Sequence, residues 1–322
     1  MNTLLEILNI EYPIIQAPVG GIVTPALAAA VSNSGALGGL ALSWSSPEDA
    51  EKKIEQLKLL TSKPIYANFV LNFEPKALKR TLELGVNIIQ FSWGMPSIAT
   101  VKLVKSFKAK IGVQVTDKDS ASRAISLGAD YLVCQGTQAG GHVQASMCLE
   151  KALIEVLQVT NAHIPVLASG GISCGKDMHK YLALGASGVV MGSRFVASYE
   201  SGAHPIYKDH LVNSKEDDTV LTVCMNKGWD NATHRVIKNS TFKMWESDGC
   251  AKTGSRPGEF DILGKNASAV NIERYSFSAP TAEVTGNIEA MTLYAGTSVN
   301  NINETKSASN IVKDIWDDYL NH

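Results

Sequence analysis

Cysteine is scarce in this chain, and its placement excludes two common uses of the residue. The five cysteines are odd in number, scattered, and nowhere spaced as Cys-x-x-Cys; they are Cys134, Cys148, Cys174, Cys224 and Cys250. This pattern favours free thiols in a reducing compartment over a disulfide framework or a zinc site. No metal site is expected, because no pair of histidines or carboxylates stands at ligand spacing near the candidate site described below.

The chain also lacks an excess of either charge and lacks long apolar runs. Its formal net charge is -2, and no stretch gathers Lys and Arg on one face, so nucleic-acid or membrane partners are not expected. No apolar run reaches about 18 residues, the length of a membrane-spanning helix. The N-terminal segment carries Glu6 and Glu11 but no basic residue before its apolar run, unlike a signal peptide. We therefore expect a cytoplasmic protein.

What the chain does contain is a regular alternation of strands and helices. At 322 residues and 45% hydrophobic content, it suits one large α/β barrel with an added segment. Short β-branched runs alternate with stretches of helical apolar spacing. The eight predicted strands cover 13–17, 37–42, 64–71, 87–92, 110–115, 131–136, 165–170 and 188–193.

Three of the helix-to-strand connections share a Leu-Gly pair. The segments "LELGVNIIQ", "ISLGADYLVC" and "LALGASGVVM" place Gly85, Gly128 and Gly185 where a helix ends in a left-handed residue. Short connections of this kind join right-handed βαβ units. Eight such units predict a (β/α)₈ TIM barrel, with an open doubly wound sheet as the alternative because the sequence does not show closure.

The alternation stops near residue 215, which suggests a division of the chain. We predict a ligand-binding TIM-barrel domain over 1–215 and a smaller, mostly helical lid or substrate domain over 216–287. The segment 288–322 ends in the amphipathic stretch "ASNIVKDIWDDYLN" and is expected to pack back on the barrel.

Amide side chains recur late in the predicted strands. Because active sites of such barrels form at the carboxyl ends of the strands, these residues point toward one rim. Amides both donate and accept hydrogen bonds, which suits the edge of a heterocycle. The residues concerned are Gln16, Asn68, Gln90, Gln114 and Gln135.

Glycines follow the last two predicted strands. The turns "SGGI" (169–172) and "MGSRF" (191–195) occupy the position where such barrels bind phosphate through backbone N–H groups. Gly170, Gly171 and Gly192 would allow close backbone approach, and Ser193 adds a hydroxyl. The alternative is that these glycines only permit tight turns.

One histidine stands directly behind two glycines in the loop after the sixth strand. In "CQGTQAGGHV", Gly140 and Gly141 let the backbone lie flat against a ligand, and His142 can reach over it. An imidazole suits proton exchange or anion stabilisation. We interpret the other histidines and the scattered tryptophans as structural, and Cys134 as a core residue.

Together these segments resemble the nitronate monooxygenase family, formerly called 2-nitropropane dioxygenases. The resemblance rests on "YPIIQAPVGG", "ANFVLN", "CQGTQAGGH", "ASGGI", "MGSRF" and "IEAMTLYAGTS", in order over nearly the whole chain. It implies a TIM barrel with a smaller lid, one tightly bound FMN, and oxidation of alkyl nitronates by O₂ without a nicotinamide.

The resemblance also implies roles for individual residues. His142 would be the catalytic base for neutral nitroalkanes. The phosphate of FMN would be held by Gly170, Gly171, Gly192 and Ser193. The pocket would be closed by Tyr294, Gly296 and Ser298. The isoalloxazine would be lined by Gln16, Ala17, Asn68, Gln114, Gln135, Gly140 and Gly141.

Three positions depart from the usual family pattern. Gln138 stands where the family usually has Glu, Val143 where it has Arg, and Thr297 where it has Gln. The flavin cradle is unaffected, but substrate and reductant are left open.

Two other functions therefore compete with nitronate oxidation. The first is an FMN-dependent NAD(P)H oxidoreductase of the enoyl-ACP reductase or quinone reductase type. The second is a non-catalytic binder of a phosphorylated ligand, since a barrel fold alone does not determine function. The expected partners are a nitronate or nitroalkane and O₂, with a homodimer as the candidate assembly.

Overall fold

Eight parallel strands form the central sheet of the computed structural model, which describes residues 3–160 and 163–322. Each coincides with one of the eight predicted strands. Numbered in chain order with the other strands of the molecule, they are β1 (Ile14–Gln16), β2 (Gly38–Ala41), β3 (Ile65–Val70), β4 (Ile88–Ser92), β5 (Lys110–Val115), β6 (Tyr131–Gln135), β8 (Val166–Ser169) and β9 (Gly188–Met191).

The two edges of this sheet meet and close it into a barrel. The ladder runs β1-β9-β8-β6-β5-β4-β3-β2. The N–H of Leu37 donates to the carbonyl of Ile14 at 2.9 Å, and the N–H of Gln16 donates to the carbonyl of Leu37 at 3.0 Å. The predicted TIM barrel is confirmed, and the open doubly wound alternative is excluded.

Helices surround the barrel and begin or end where the sequence indicates. Ser46 accepts from the N–H of Asp49 at 3.1 Å and caps the third helix. Gly85, Gly128 and Gly185 have φ of +79°, +89° and +107°, as predicted for left-handed residues after a helix. The helices are α1 (Thr3–Leu8), α2 (Pro25–Asn33), α3 (Pro47–Leu60), α4 (Leu78–Glu83), α5 (Ile98–Ser106), α6 (Lys118–Ser126), α7 (Leu149–Thr160), α8 (Gly175–Ala183), α9 (Ser193–Val196), α10 (Pro205–Asn213), α11 (Ser240–Ser247) and α12 (Ala308–Leu320).

The core has an outer and an inner layer, as expected for strands apolar on both faces. The outer layer packs the helices on the barrel. The inner layer fills the barrel with residues such as Tyr66, Tyr131 and Leu167, and Leu4 and Leu8 of α1 close its amino end. The opposite, carboxyl end is therefore the end available for a ligand.

The predicted lid is not mostly helical, and that part of the prediction is wrong. All of 216–287 is described, and it holds one α-helix, α11, beside five short strands: β10 (Thr219–Thr222), β11 (His234–Ile237), β12 (Ile262–Lys265), β13 (Asn271–Glu273) and β14 (Thr285–Gly286). These strands have two to four residues, too few to show a periodicity, and one of them pairs with a distant segment. β11 pairs with the two-residue strand β7 (Gly141–His142), which belongs to a barrel loop.

The C-terminal helix lies against the barrel. α12 packs on α8 and α2, and Ile311, Val312 and Ile315 join the outer core. The domain boundaries at 215 and 287 remain predictions. Across the described residues, no helix is long and apolar enough to cross a membrane.

Candidate functional site

A cleft of about 1100 Å³, part of it open to solvent, lies at the carboxyl end of the barrel. Its lining includes residues from loops after the strands, from the lid and from the C-terminal segment. The sequence-predicted residues that line it are Ala17, Asn68, Gln114, Gln135, Gly140, Gly141, His142, Gly170, Gly171, Gly192, Ser193, Tyr294 and Ser298.

His142 lies on β7, at the point where the barrel loop pairs with the lid strand β11. Its ring stacks on Trp229, with centroids 4.1 Å apart and an interplanar angle of 25°. Burial, with a smaller contribution from His234, lowers the pKa of His142 to about 3, so the imidazole is neutral at pH 7. Within the described residues, its buried Nε2 has no hydrogen-bond partner. This nitrogen is therefore free to bind a ligand.

His234 lies opposite His142 on β11, and both of its ring nitrogens pair with backbone groups. Its Nε2 accepts from the N–H of Met225 at 3.0 Å, and its Nδ1 lies 2.8 Å from the carbonyl of Ala232. Burial lowers the pKa of His234 to about 4, which agrees with a neutral ring that donates from Nδ1 and accepts at Nε2. His234 thus connects both ends of the segment 225–232, which carries Trp229.

The amide side chains form a connected network beneath the cleft. Gln114 donates to the Oε1 of Gln135 at 3.3 Å and to the Oε1 of Gln144 at 3.2 Å. Gln135 in turn donates to the carbonyl of His142 at 3.1 Å. On the other side, Asn68 accepts from Gln90 at 3.2 Å. Such a network holds each amide in one orientation, and it positions the backbone of His142.

The two glycine turns after β8 and β9 face the same cleft. Gly170 and Gly171 have φ of +121° and +72°, which L-residues rarely adopt. Among the described residues, and apart from bonds within helices and strands, the N–H groups of Gly170, Gly171 and Gly192 have no backbone acceptor. The hydroxyl of Ser193 accepts from the N–H of Gly296 at 2.9 Å and keeps its own proton to donate. These groups could hold a phosphate.

The loop glycines before His142 have two different roles. Gly141 has φ of +77°, and a Cβ there would meet no atom within 4 Å, so its backbone is open to a ligand. A Cβ on Gly140 would lie 2.3 Å from the N of Gly296. Gly140 therefore allows the C-terminal segment to pack against the loop.

Two sequence-predicted residues do not line the cleft. Gln16 is fully buried, and its Oε1 accepts from the N–H of Gly39 at 3.1 Å, between β1 and β2. It faces away because side chains alternate along a strand. Gly296 packs on the loop beneath the lining, where a Cβ would meet the N of Gly140 at 2.9 Å.

Sequence reasoning missed four residues at the site. The structure contradicts the interpretation of Trp44, Trp93 and Trp229 as packing residues, because all three line the cleft. Trp44 and Trp93 follow the ends of β2 and β4, so the rule applied to the amides could have found them. Trp229 and His234 lie in the lid, where no periodic signal marks them.

The three departures from the family pattern have structural roles. Gln138 accepts from the N–H of Leu149 at 3.0 Å and caps the start of α7. Val143 is buried against Ala139, Ala145 and Leu221. The Oγ1 of Thr297 lies 2.9 Å from the place a Cβ on Gly171 would take, so this residue closes one side of the glycine turn.

Two other kinds of reactive group, a cysteine thiol and a metal-binding cluster, can be compared between the sequence and the described residues. Cys134 is buried as expected for a core residue, and burial raises the pKa of its thiol to about 12. Over 3–160 and 163–322, no group of three or more His, Cys, Asp or Glu side chains is arranged to hold a metal ion.

Comparison with known proteins shows the family of the chain. A family model described as nitronate monooxygenase matches residues 1–79 and 73–318. A "Probable nitronate monooxygenase" of Staphylococcus aureus strain MSSA476 is 32% identical over 287 residues, 74% of this chain and 78% of that protein. A protein of the same name from Staphylococcus saprophyticus is 32% identical over 261 residues, 67% of this chain and 74% of that protein.

Solved structures show the same architecture. FabK from Thermotoga maritima is 29% identical with a TM-score of 0.82, over 99% of this chain and 96% of that one. Nitroalkane oxidase from Streptomyces ansochromogenes has a TM-score of 0.78 at 23% identity, over 99% of this chain and 98% of that one, and shows the fold alone. Barrel, cleft and relatives define an enzyme of the flavin-dependent oxidoreductase class. Within that class, the chain belongs to the nitronate monooxygenase family.

Proposed function

We propose that this protein is an FMN-dependent monooxygenase that oxidises alkyl nitronates with O₂ to a carbonyl compound and nitrite. The observation that carries the proposal is the neutral, unpartnered Nε2 of His142 in a cleft that also contains two glycine turns with free N–H groups. Family membership supports the same reaction class.

The residues of the cleft fit FMN. Gly170, Gly171, Gly192 and Ser193 would hold its phosphate through N–H and O–H donors. The ring would lie against Ala17, the flat backbone of Gly140 and Gly141, and the amides Asn68, Gln114 and Gln135. When bound, FMN supplies electron transfer between the nitronate and O₂.

His142 performs the proton chemistry in this proposal. A neutral nitroalkane gives its α-proton to Nε2, and the electron pair of the broken C–H bond moves into the nitro group to form the nitronate. Burial makes the free imidazole a weak base, but the imidazolium and the nitronate form together and stabilise each other at close range. A nitronate supplied in ionised form needs no base, and His142 then only orients its oxygens.

The lid contributes by excluding water from this step. Trp229 lies directly on the ring of His142, and the hydroxyl of Tyr294 donates to the carbonyl of Phe277 at 2.6 Å, which ties the lid to the C-terminal segment. A dry site strengthens the interaction between the two charges formed by proton transfer.

Replacing His142 tests the proposal, with nitrite release and O₂ uptake as the measurements. We expect His142→Ala to lose at least about 100-fold in kcat/KM on neutral nitroethane, the size of a general-base contribution, and to keep most of its activity on preformed ethylnitronate. An equal loss on both forms would reject the base role. An active wild-type preparation is the reference, and a wild type that releases no nitrite from either form would refute the proposed function.

The likeness to FabK favours a second candidate, an FMN-dependent NAD(P)H oxidoreductase of the enoyl-ACP reductase or quinone reductase type. The two candidates differ in their reductant. Rapid bleaching of the visible absorbance by NADH or NADPH in the absence of a nitronate would support the second candidate. Absorbance that stays unchanged with either nucleotide would support nitronate oxidation.

A further inference from the structure

The cleft has no charged wall. Among the described residues that line it there is no Asp, Glu, Lys or Arg, and its only titratable side chains are His142, Tyr207 and Tyr294. Both tyrosines are buried, which raises the pKa of each hydroxyl, so they stay neutral. An ionised substituent on a substrate would lose its water here without gaining a counter-charge. Apart from the FMN phosphate, which the glycine turns would hold, and the nitronate group, which His142 would orient, the lining therefore favours a substrate without ionised substituents.

Aromatic rings form one side of this cleft. Trp44, Trp93 and Trp229 line it, and Phe73 and Phe277 pack behind them; we call these five residues the aromatic wall. Ring centroids are 4.9 Å apart for Trp93 and Trp229, 5.1 Å for Phe73 and Trp229, and 5.9 Å for Trp44 and Phe277. The wall is continuous from solvent to His142, since Trp229 stacks on that ring.

Two glycines leave space for rings of the aromatic wall, and the backbone of one of its tryptophans is strained. A Cβ on Gly20 would lie 2.8 Å from the Cζ3 of Trp44, and one on Gly228 would lie 2.6 Å from the ring of Phe277. Trp93 itself has φ of +56°, a strained value for a bulky residue.

Core packing alone does not account for this arrangement. Trp44 is 47% exposed, so its ring covers the mouth of the cleft without being buried itself. Strained or exposed aromatic residues at a cleft indicate a binding surface more often than a core.

We propose that the aromatic wall selects nitro compounds and nitronates that carry a flat aromatic ring beside the nitro-bearing carbon and no other ionised group. This inference rests on the proposed function and names its substrate class. Aromatic rings pair at centroid distances of about 4.5–7 Å, so a substrate ring can stack against the wall. Trp93 and Trp229 lie 6.1 and 4.1 Å from the ring of His142. The aromatic wall therefore extends to the ring that would take the α-proton.

Binding of two inert ligands tests the inference without any turnover. Nitrobenzene and 2-methyl-2-nitropropane both lack an α-hydrogen, so neither forms a nitronate. Isothermal titration calorimetry on the purified holoenzyme should give a Kd for nitrobenzene about 10-fold lower than for the aliphatic compound. Equal Kd values for the two ligands would overturn the inference.

Two variants show whether the wall is responsible. Trp44→Leu keeps an apolar side chain at the mouth but removes the ring, and should weaken nitrobenzene binding about 2- to 13-fold, the range for one aromatic pair. Gly20→Ala keeps Trp44 but displaces its ring, and should act in the same direction. The Kd of 2-methyl-2-nitropropane should change less than twofold in both. A Kd for nitrobenzene that stays at the wild-type value in both variants would overturn the inference.

A matched control lies outside the cleft. Trp316 of α12 packs against Tyr12 and Tyr319 and does not line the cleft. Trp316→Leu should leave the Kd of both ligands unchanged. The same loss of nitrobenzene binding in this variant would contradict a role specific to the wall.

Turnover separates this inference from the proposed function. With phenylnitromethane and nitroethane as substrates, the wild type should show a lower KM for the aromatic compound, and Trp44→Leu should lose that advantage with little change in kcat. If neither substrate releases nitrite while the calorimetric preference for nitrobenzene holds, the proposed function fails and the aromatic specificity stands. If both release nitrite with equal KM, the aromatic specificity fails and the proposed function stands.

Discussion

At the scale of single residues, the left-handed glycine at 171 provides a direct test of the phosphate cradle. Gly171→Ala places a Cβ 2.9 Å from the Oγ1 of Thr297 and 3.0 Å from the Cβ of Gln138, at a φ that alanine adopts only with strain. A misplaced turn loses N–H donors to the phosphate. Backbone strain and the displaced turn cost about 1–3 kcal/mol, so we expect the Kd of FMN to rise about 10-fold or more. Flavin fluorescence titration measures this Kd.

Gly128 offers the matched control for this substitution. It has φ of +89°, and a Cβ there would meet no atom within 4 Å, so Gly128→Ala carries a comparable backbone strain away from the cleft. This variant should lose about 1 kcal/mol of stability and bind FMN as the wild type does. If both variants bind FMN equally, the turn at Gly171 does not hold the phosphate.

Some residues of the cleft can be predicted from the sequence, and others cannot. Asn68, Gln114 and Gln135 were placed at the cleft because each stands late in a predicted strand, and a parallel barrel brings those ends together. Gln16 fits the same rule, yet the alternation of side chains turns it away from the cleft, because its neighbours Ile15 and Ala17 face the barrel interior. A shift of one residue in the strand decides between these outcomes, and a sequence does not define strand register so finely.

At the scale of elements, the pairing of β7 with β11 couples barrel and lid through the half-buried His142 and the buried His234. His142 and His234 are direct cross-strand partners with ring centroids 5.6 Å apart. Burial lowers the pKa of His142 to about 3 and that of His234 to about 4, from an ordinary value of 6.5. Below pH 6.5 the unfolded chain therefore binds protons that the folded chain does not, and stability falls as the pH falls from 6.5 toward 4.

This linkage predicts how the slope of stability changes when one histidine is removed. His142→Phe keeps a ring against Trp229 but has no group to titrate. Between pH 5 and 6 the free energy of unfolding should depend on pH less steeply than in the wild type, by about 1 kcal/mol per pH unit. Urea denaturation at the two pH values measures the slope. His179→Phe, at an exposed position on α8, should keep the wild-type slope, and the same slope in all three proteins would show that His142 is not buried as a neutral base.

The elements differ in how far the sequence predicts them. The eight barrel strands were found because each is a short β-branched run between helices with clear ends, and Leu-Gly pairs such as that at Gly85 mark the turns. The strands of the lid are not predictable in this way because they are short and one of them, β11, pairs across a long stretch of chain. β11 finds its partner at Gly141–His142, more than ninety residues earlier, and local periodicity holds no information on such a pairing.

At the scale of the whole molecule, the barrel brings distant segments to one cleft. Strand ends contribute the amides and the glycine turns, the lid contributes Trp229, and the C-terminal segment contributes Tyr294 and Ser298. Membership of a family that works with a flavin explains why these segments converge. Binding of FMN in this cleft is therefore the central claim of the account.

The visible absorption spectrum of the protein purified without added flavin tests that claim most directly, combined with the mass of the chromophore released by heat. The account predicts the two bands of an oxidised flavin and the release of FMN, at about one per chain. A colourless protein that does not bind added FMN, or one that releases FAD, would contradict it.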